Sequence, residues 1–217
     1  MNTYVPLSHE RTQEILEHVA QVLTPQPMKD SRLSKLAHQF SQYDTDLLRV
    51  GIVFMKGFGA IRSGTLDAEP LVRDWTLEKG VEFRANRTVA NVIALGLCAA
   101  LDHVLPKLVS YGKKHSPTLL ARYQLLGEKD LEAAIRPSGK RELDWPRGLL
   151  KAFSVKWDDL IGEALRDLVG ARNDAAHELP QGLPDYWGDR VQAWEESATW
   201  LVQSLALRLD DLVARGR

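Results

Sequence analysis

The apolar residues of this chain recur at intervals of three and four positions, which is the spacing of one face of an α-helix. The longest such series lies near the C-terminus and comprises Val191, Trp194, Ala198, Leu201, Val202, Leu205, Leu209 and Leu212. A second series follows Ile161, and a third follows Ser8, which suits the N-cap of a helix that ends at Thr24-Pro25-Gln26-Pro27. Another helix is predicted from about Ser31. The pattern therefore predicts an all-α helical bundle.

The segment from Leu47 to Met55 is ambiguous, because its β-branched residues also suit a strand. We predict a helix, since nothing else in the chain offers a convincing strand partner. The following Gly57-Phe58-Gly59-Ala60, with Gly64 beyond it, lacks the Gly-Lys-Ser/Thr ending of a phosphate-binding loop and the third glycine of a dinucleotide-binding loop. It is interpreted as a flexible turn.

The most apolar stretch covers residues 89–105 and carries Asn91, Asp102 and His103. Its length is at the short edge for a membrane span and its end is polar, which favours a buried helix and no membrane contact. Pro106, Gly112 and Pro117 are predicted to break the chain. A further helix is predicted over residues 118–135.

Composition limits the classes of function. The chain has 217 residues, a net charge of −1 and a single cysteine, Cys98. A generally basic nucleic-acid binder is excluded, so any RNA site must be a local basic patch. One cysteine excludes an intramolecular disulfide and a multi-cysteine zinc site, and it fits a reducing compartment. The N-terminal residues lack a secretory pattern, and we expect a cytoplasmic protein.

One candidate basic patch lies between the predicted helices. It combines cations with an aromatic residue: Arg136, Lys140, Arg141, Trp145 and Arg147. Cations would contact phosphates and the indole would stack on a base of single-stranded RNA. The alternative is a solvated loop in which Trp145 packs against the bundle.

The hexapeptide Arg172-Asn173-Asp174-Ala175-Ala176-His177 carries the clearest candidate chemistry. It places a permanent cation, an amide and a titratable imidazole within two helical turns, as needed to hold a phosphate and move a proton beside it. Two looser pairs, Arg11 with His18 and Arg32 with His38, have similar spacing. Only Arg172 is followed by asparagine, and only Arg172 lies between two long predicted helices.

A helical wheel places Arg172 in the middle of the apolar arc that begins at Ile161, so its guanidinium must reach a partner or line a cleft. His177 lies about 140° from Arg172 around the axis. Either the helix bends near Gly170, or the site borrows residues from a second copy. Gly162, Arg166 and Gly170 share a face with Asn173 and His177, which we interpret as a dimer seam; the alternative is that Gly170 kinks or ends the helix.

The hexapeptide resembles the Arg-x4-6-His signature of HEPN domains, which are α-helical bundles that usually pair. The resemblance covers roughly residues 84–213. We therefore divide the chain into an N-terminal helical elaboration over residues 1–83 and a HEPN-like helical bundle over residues 84–217. The resemblance implies a homodimeric, metal-independent endoribonuclease without a cofactor, acting as a toxin or anti-phage effector and controlled by an antitoxin or another regulatory protein. His177 would be the general acid or base, Arg172 would stabilise the phosphorane, and Asn173 would orient the imidazole or the phosphate.

The resemblance also implies products with a 2′,3′-cyclic phosphate and a 5′-hydroxyl. One departure is that His177 is followed by Glu178-Leu179-Pro180, whereas some HEPN toxins carry a tyrosine there that a partner enzyme modifies; Tyr186 is the nearest downstream tyrosine. Tyr186 and Trp187 either cover the cleft or begin the next helix.

Other candidate chemistry is sparse. Asp102 and His103 are interpreted either as a second acid-base pair or metal-ligand set, or as a partly buried histidine satisfied by a neighbour. Two function classes therefore remain: an endoribonuclease, and a non-catalytic helical module that binds RNA or a protein partner and uses Arg172 in a structural ion pair.

Overall fold

The chain is helical along most of the part that the computed structural model describes, which comprises residues 5–24, 26–115, 149–150, 153–177 and 187–215. These ranges contain six helices and no strand. The helices are α1 (His9–Val22), α2 (Ser31–Arg62), α3 (Pro70–Leu77), α4 (Val81–His115), α5 (Asp159–His177) and α6 (Trp187–Arg215). The predicted all-α class is confirmed.

The first two helices begin at side-chain caps. The Ser8 hydroxyl accepts a hydrogen bond of 3.2 Å from the backbone N–H of Arg11, as the sequence predicts. The Asp30 carboxylate accepts hydrogen bonds from the backbone N–H groups of Arg32 and Leu33, so α2 begins at Ser31. Asp30 is itself held in place by Tyr111 of α4, whose hydroxyl donates to its second oxygen at 2.8 Å.

The core lies where α4 and α6 pack against each other and against the remaining long helices. Both helices contribute fully buried leucines: Leu97, Leu101 and Leu105 from α4, and Leu201, Leu205 and Leu209 from α6. The first two helices belong to the same core through Ile15, Val19 and Leu33. The predicted boundary between residues 83 and 84 falls within the first turn of α4.

The predicted break at Pro106 and Gly112 is wrong, because α4 continues through both residues to His115. Proline removes one backbone hydrogen bond from a helix interior and disfavours the helix there. Here the flanking Leu105, Leu108 and Val109 are buried in the core on the same helix face, and their packing outweighs that local cost. The region beyond, including Pro117 and the predicted helix over residues 118–135, lies outside the described residues.

The predicted turn at residues 57–60 is also wrong, whereas the helix predicted over residues 47–55 is confirmed. Both segments belong to the single helix α2. Two residues around the glycines explain this, because Phe58 is buried against Val81 and Ala85 of α4 and Met55 packs on the same cluster. Packing on one face therefore stabilises the helix through two glycines, although glycine has a low helix propensity.

Within the described residues, α4 is the helix long and apolar enough to cross a membrane. Half of its most apolar window is buried inside the protein, and the helix contributes many core residues. Length and composition of this kind are shared by core helices of soluble bundles and by membrane spans.

Candidate functional site

Helix α5 carries the hexapeptide, and its N-terminus is fixed by an aspartate cap. Asp158 Oδ1 accepts a hydrogen bond of 3.1 Å from the backbone N–H of Ile161, while Asp158 Oδ2 lies 2.6 Å from His18 Nε2 of α1. Arg11 of α1 adds a bidentate ion pair with Glu163, with distances of 2.6 and 2.8 Å. That pair lowers the pKa of Glu163. Helix α1 thus holds the first two turns of α5.

The middle of α5 is joined to α6 by a buried ion pair. The Asp167 carboxylate accepts two hydrogen bonds from the Arg190 guanidinium, at 2.6 and 2.9 Å, and a third from the Trp194 indole at 2.7 Å. The backbone N–H of Leu7 donates a fourth at 3.2 Å. Arg190 also stacks over the Trp194 ring. Arg190 and Trp194 lie four residues apart, and this spacing is the one feature of the sequence that could have indicated the cluster. The cluster was not predicted from the sequence.

Arg172 lies one and a half turns beyond Asp167 and is half-buried. Its Nη1 donates a hydrogen bond of 2.8 Å to Oδ1 of Asn173. The wheel placed this arginine in an apolar arc, where a guanidinium needs a partner or a cleft. The observed partner is the side-chain amide of Asn173. This amide is neutral, so it orients the guanidinium of Arg172 without neutralising its charge.

The guanidinium of Arg172 lies near α4, since its charge acts on the Cys98 thiol. Burial raises the pKa of Cys98 to about 12, with Arg172 lowering it and the Asp102 carboxylate raising it further. Asp102 follows Cys98 by four residues, on the same face of α4. The C-terminal half of α5 therefore brings Arg172 to the side of α4 that carries Cys98 and Asp102.

His177 is the last residue of α5, and its side chain lies outside the described part of the structure. The helix runs without a break from Asp159 to His177, so Gly170 does not end it. Five residues separate Arg172 from His177, which places the two positions about 140° apart around the axis and about 7.5 Å apart along it.

The three residues of the predicted dimer seam have different surroundings. Gly162 is buried, and a methyl group there would stand 2.0 Å from Cζ2 of Trp157 in the same chain. The Trp157 ring of the same chain therefore explains why a glycine occupies position 162, so Gly162 gives no support to the predicted dimer seam. Arg166 is exposed and Gly170 is half-buried, and a seam at these two positions stays a prediction.

Every residue of the predicted RNA-binding patch lies outside the described residues, namely Arg136, Lys140, Arg141, Trp145 and Arg147. Tyr186 and the side chain of Trp187 also lie outside them. The patch stays a prediction.

The remaining candidate residues, Asp102 and His103, lie on α4. Asp102 and His103 lie on different sides of α4, because His103 is exposed and its Nε2 lies 2.6 Å from Nζ of Lys107. The interpretation of His103 as a partly buried histidine is therefore wrong. Across the described ranges, no group of three or more His, Cys, Asp or Glu side chains is placed to hold a metal ion.

Comparisons of the chain with models of protein families, with curated proteins and with solved structures give no match.

Proposed function

We propose that this chain is a metal-independent endoribonuclease of HEPN type that cleaves RNA to 2′,3′-cyclic phosphate and 5′-hydroxyl ends, in the role of a toxin or anti-phage defence effector. The observation that carries the proposal is the half-buried Arg172 held by Asn173 on the helix that ends at His177. A cation oriented by a neutral amide suits the charge that develops on a phosphorane. Its partners would be RNA, a second copy of the chain and a regulatory protein such as an antitoxin.

The proposed reaction uses only groups of the RNA and the protein. The 2′-oxygen of a ribose attacks the adjacent phosphorus while a base accepts the 2′-hydroxyl proton. The bond from phosphorus to the 5′-oxygen then breaks, and an acid gives a proton to the departing oxygen. His177 is assigned one of these two proton transfers, and Arg172 stabilises the equatorial oxygens of the phosphorane. The RNA supplies the nucleophile, so the scheme contains no metal step.

The positions of Arg172 and His177 favour a site shared by two copies. The two positions lie about 140° apart around one unbroken helix, which disfavours contact of both residues with the same phosphate within one copy. A phosphate at a twofold axis between two α5 helices would meet Arg172 of one copy and His177 of the other. The exposed Arg166 belongs to the helix face proposed for this contact.

A second candidate is a non-cleaving helical module that binds RNA or a protein partner. The hydrogen bond from Arg172 to Asn173 favours it, because it gives the arginine a structural partner within its own helix. The two candidates differ in the role of His177, which is essential to the nuclease and dispensable to the module.

The experiment that tests the proposal compares RNA cleavage and RNA affinity of the parent with those of His177→Ala. The chain offers a matched control in His38→Ala, since His38 is an exposed histidine in one of the looser Arg-His pairs. The nuclease predicts that cleavage is lost only in His177→Ala and that affinity is kept. Equal behaviour of the parent and both variants, with binding but no cleavage, would favour the module.

A further inference from the structure

The second half of α2, helix α3 and the first half of α4 form a unit that we call the helical arm, residues 46–96. Its two long helices are antiparallel and closely packed, because Gly51 faces Ile93 and Val89 while Leu47 faces Gly96. A methyl group on Gly96 would stand 2.6 Å from Cδ2 of Leu47. The arm has only a small core of its own, in which Phe58 contacts Val81 and Ala85.

The arm carries most of the large apolar side chains that are exposed in the described ranges. Of the large apolar residues that are exposed in the described ranges, all but Val5, Val22 and Tyr43 belong to the arm. Leu66 lies between α2 and α3, and the others lie on the three helices of the arm: Val50, Ile52, Val53, Phe54, Leu71, Val72, Trp75, Leu77, Phe83, Val92 and Leu95. A helix that is apolar around most of its surface is normally covered on more than one side.

The amount of this surface fits a stable protein interface. Side chains of these sizes at their observed exposures present on the order of 1,000 Å² per chain in total, summed over the arm. For comparison, the largest single apolar patch on a typical monomer covers ~300–600 Å². An ordinary specific interface covers about 800 Å² per partner, and obligate homodimers cover more. The total apolar area that the arm exposes is therefore comparable with one side of an ordinary specific interface.

The charges of the arm favour a second copy over an RNA or a membrane surface. The arm has seven basic and six acidic residues. Several of them pair within the chain, as in Arg62 with Glu82 and Arg84 with Glu78. RNA and anionic lipid surfaces attract a basic excess, which the arm lacks. Two nearly neutral arms do not repel each other.

The shape of the arm also suits self-association. The α2 and α4 segments have similar lengths of about 25 Å, and two antiparallel helices expose apolar faces that a second antiparallel pair can cover. We propose that the helical arm is a homodimerisation surface, on which the arms of two copies pack into a four-helix bundle. The proposal is independent of RNA cleavage.

The test measures the mass of the full chain by sedimentation velocity from about 1 to about 100 μM. Two variants change the arm: Val53→Glu, at a residue 69% exposed, and Phe54→Gln, at one 47% exposed. The matched control is Val5→Glu, because Val5 is 79% exposed and lies outside the arm. Circular dichroism checks that each variant keeps its helices; if Val53→Glu loses them, Phe54→Gln decides.

We expect the parent and Val5→Glu to be dimers, and both arm variants to dissociate with a dimer constant raised ~100-fold or more, because a charge or amide would be buried against apolar partners. A monomeric parent at every concentration would overturn the proposal. So would a dimer that survives both arm changes, since the two copies would then be held together without the arm, for example through the α5 contact proposed above. A monomer that sediments with lipid vesicles would assign the arm to a membrane instead.

Discussion

Asp167 of α5 and Arg190 of α6 form a bidentate ion pair that is almost completely buried, with hydrogen bonds of 2.6 and 2.9 Å. The pair ties the helix that carries the hexapeptide to the longest apolar series in the chain. It lies about one and a half turns before Arg172 and so fixes the position of the candidate site without belonging to it.

Removal of this carboxylate should destabilise the fold strongly. Asp167→Ala leaves the Arg190 guanidinium buried without its carboxylate, and the free energy of unfolding should fall by about 3–5 kcal/mol. Urea denaturation followed by circular dichroism measures the change. Asp46→Ala is the control, because this carboxylate is largely exposed, and it should change stability by less than about 0.5 kcal/mol. Equal losses in the two variants would contradict the assigned role of the pair.

The Asn173 side chain should matter for activity more than for stability. Asn173→Ala removes the acceptor that orients Arg172, so we expect RNA cleavage to fall by about 10-fold or more while the free energy of unfolding changes by less than about 1 kcal/mol. Arg172→Lys replaces the planar guanidinium with an ammonium and should lose more activity. The control is Arg32→Lys at an exposed arginine in α2. Full activity of Arg172→Lys would contradict the proposed phosphorane contact.

Two glycines should respond oppositely to alanine. At Gly162 the added methyl group would stand 2.0 Å from Trp157, and overpacking should cost about 1–3 kcal/mol of stability. At Gly57, in the interior of α2, nothing lies within 4 Å of the new methyl group, so alanine should stabilise the protein by about 0.5–1 kcal/mol. Thermal unfolding measures both. A Gly162→Ala variant of normal stability but altered oligomeric state would return this glycine to the predicted dimer seam.

Stability should fall as the pH rises from 5 to 8. Burial raises the pKa of Asp44 to about 6, and burial together with the nearby Asp44 charge raises the pKa of Glu195 to about 7. Both values lie above those of exposed carboxyls, so the folded protein binds these protons more tightly than the unfolded chain, and this contribution is lost as pH rises through about 6 to 7. Melting temperatures at the two pH values test this. Asp44→Asn should reduce the difference, and an unchanged slope would exclude Asp44 as a source.

The sequence predicted those features that depend on neighbouring residues. The Ser8 cap, the start of α2 at Ser31 and the apolar face of α6 are all local signals, and all are confirmed. The errors at Gly57 and Pro106 arose where core packing outweighs the local preference of a glycine or a proline. The ion pair of Asp167 with Arg190 joins two different helices, so periodicity along one helix did not reveal it.

The candidate site was only partly predictable for the same reason. The spacing of Arg172, Asn173 and His177 could be read from the chain, and the wheel indicated that Arg172 needs a partner. That the partner is Asn173, and that the guanidinium lies near Cys98 and Asp102 of α4, depends on how α5 packs on α4. A helical wheel of one helix contains no information about its neighbour.

The most direct test of the nuclease proposal is cleavage of total cellular RNA by the purified protein in excess EDTA, with the product ends determined. We predict cleavage by the parent and by His38→Ala, none by His177→Ala, and products that carry a 2′,3′-cyclic phosphate. The absence of cleavage by the parent, or equal cleavage by the parent and His177→Ala, would contradict the proposed catalytic role of the hexapeptide.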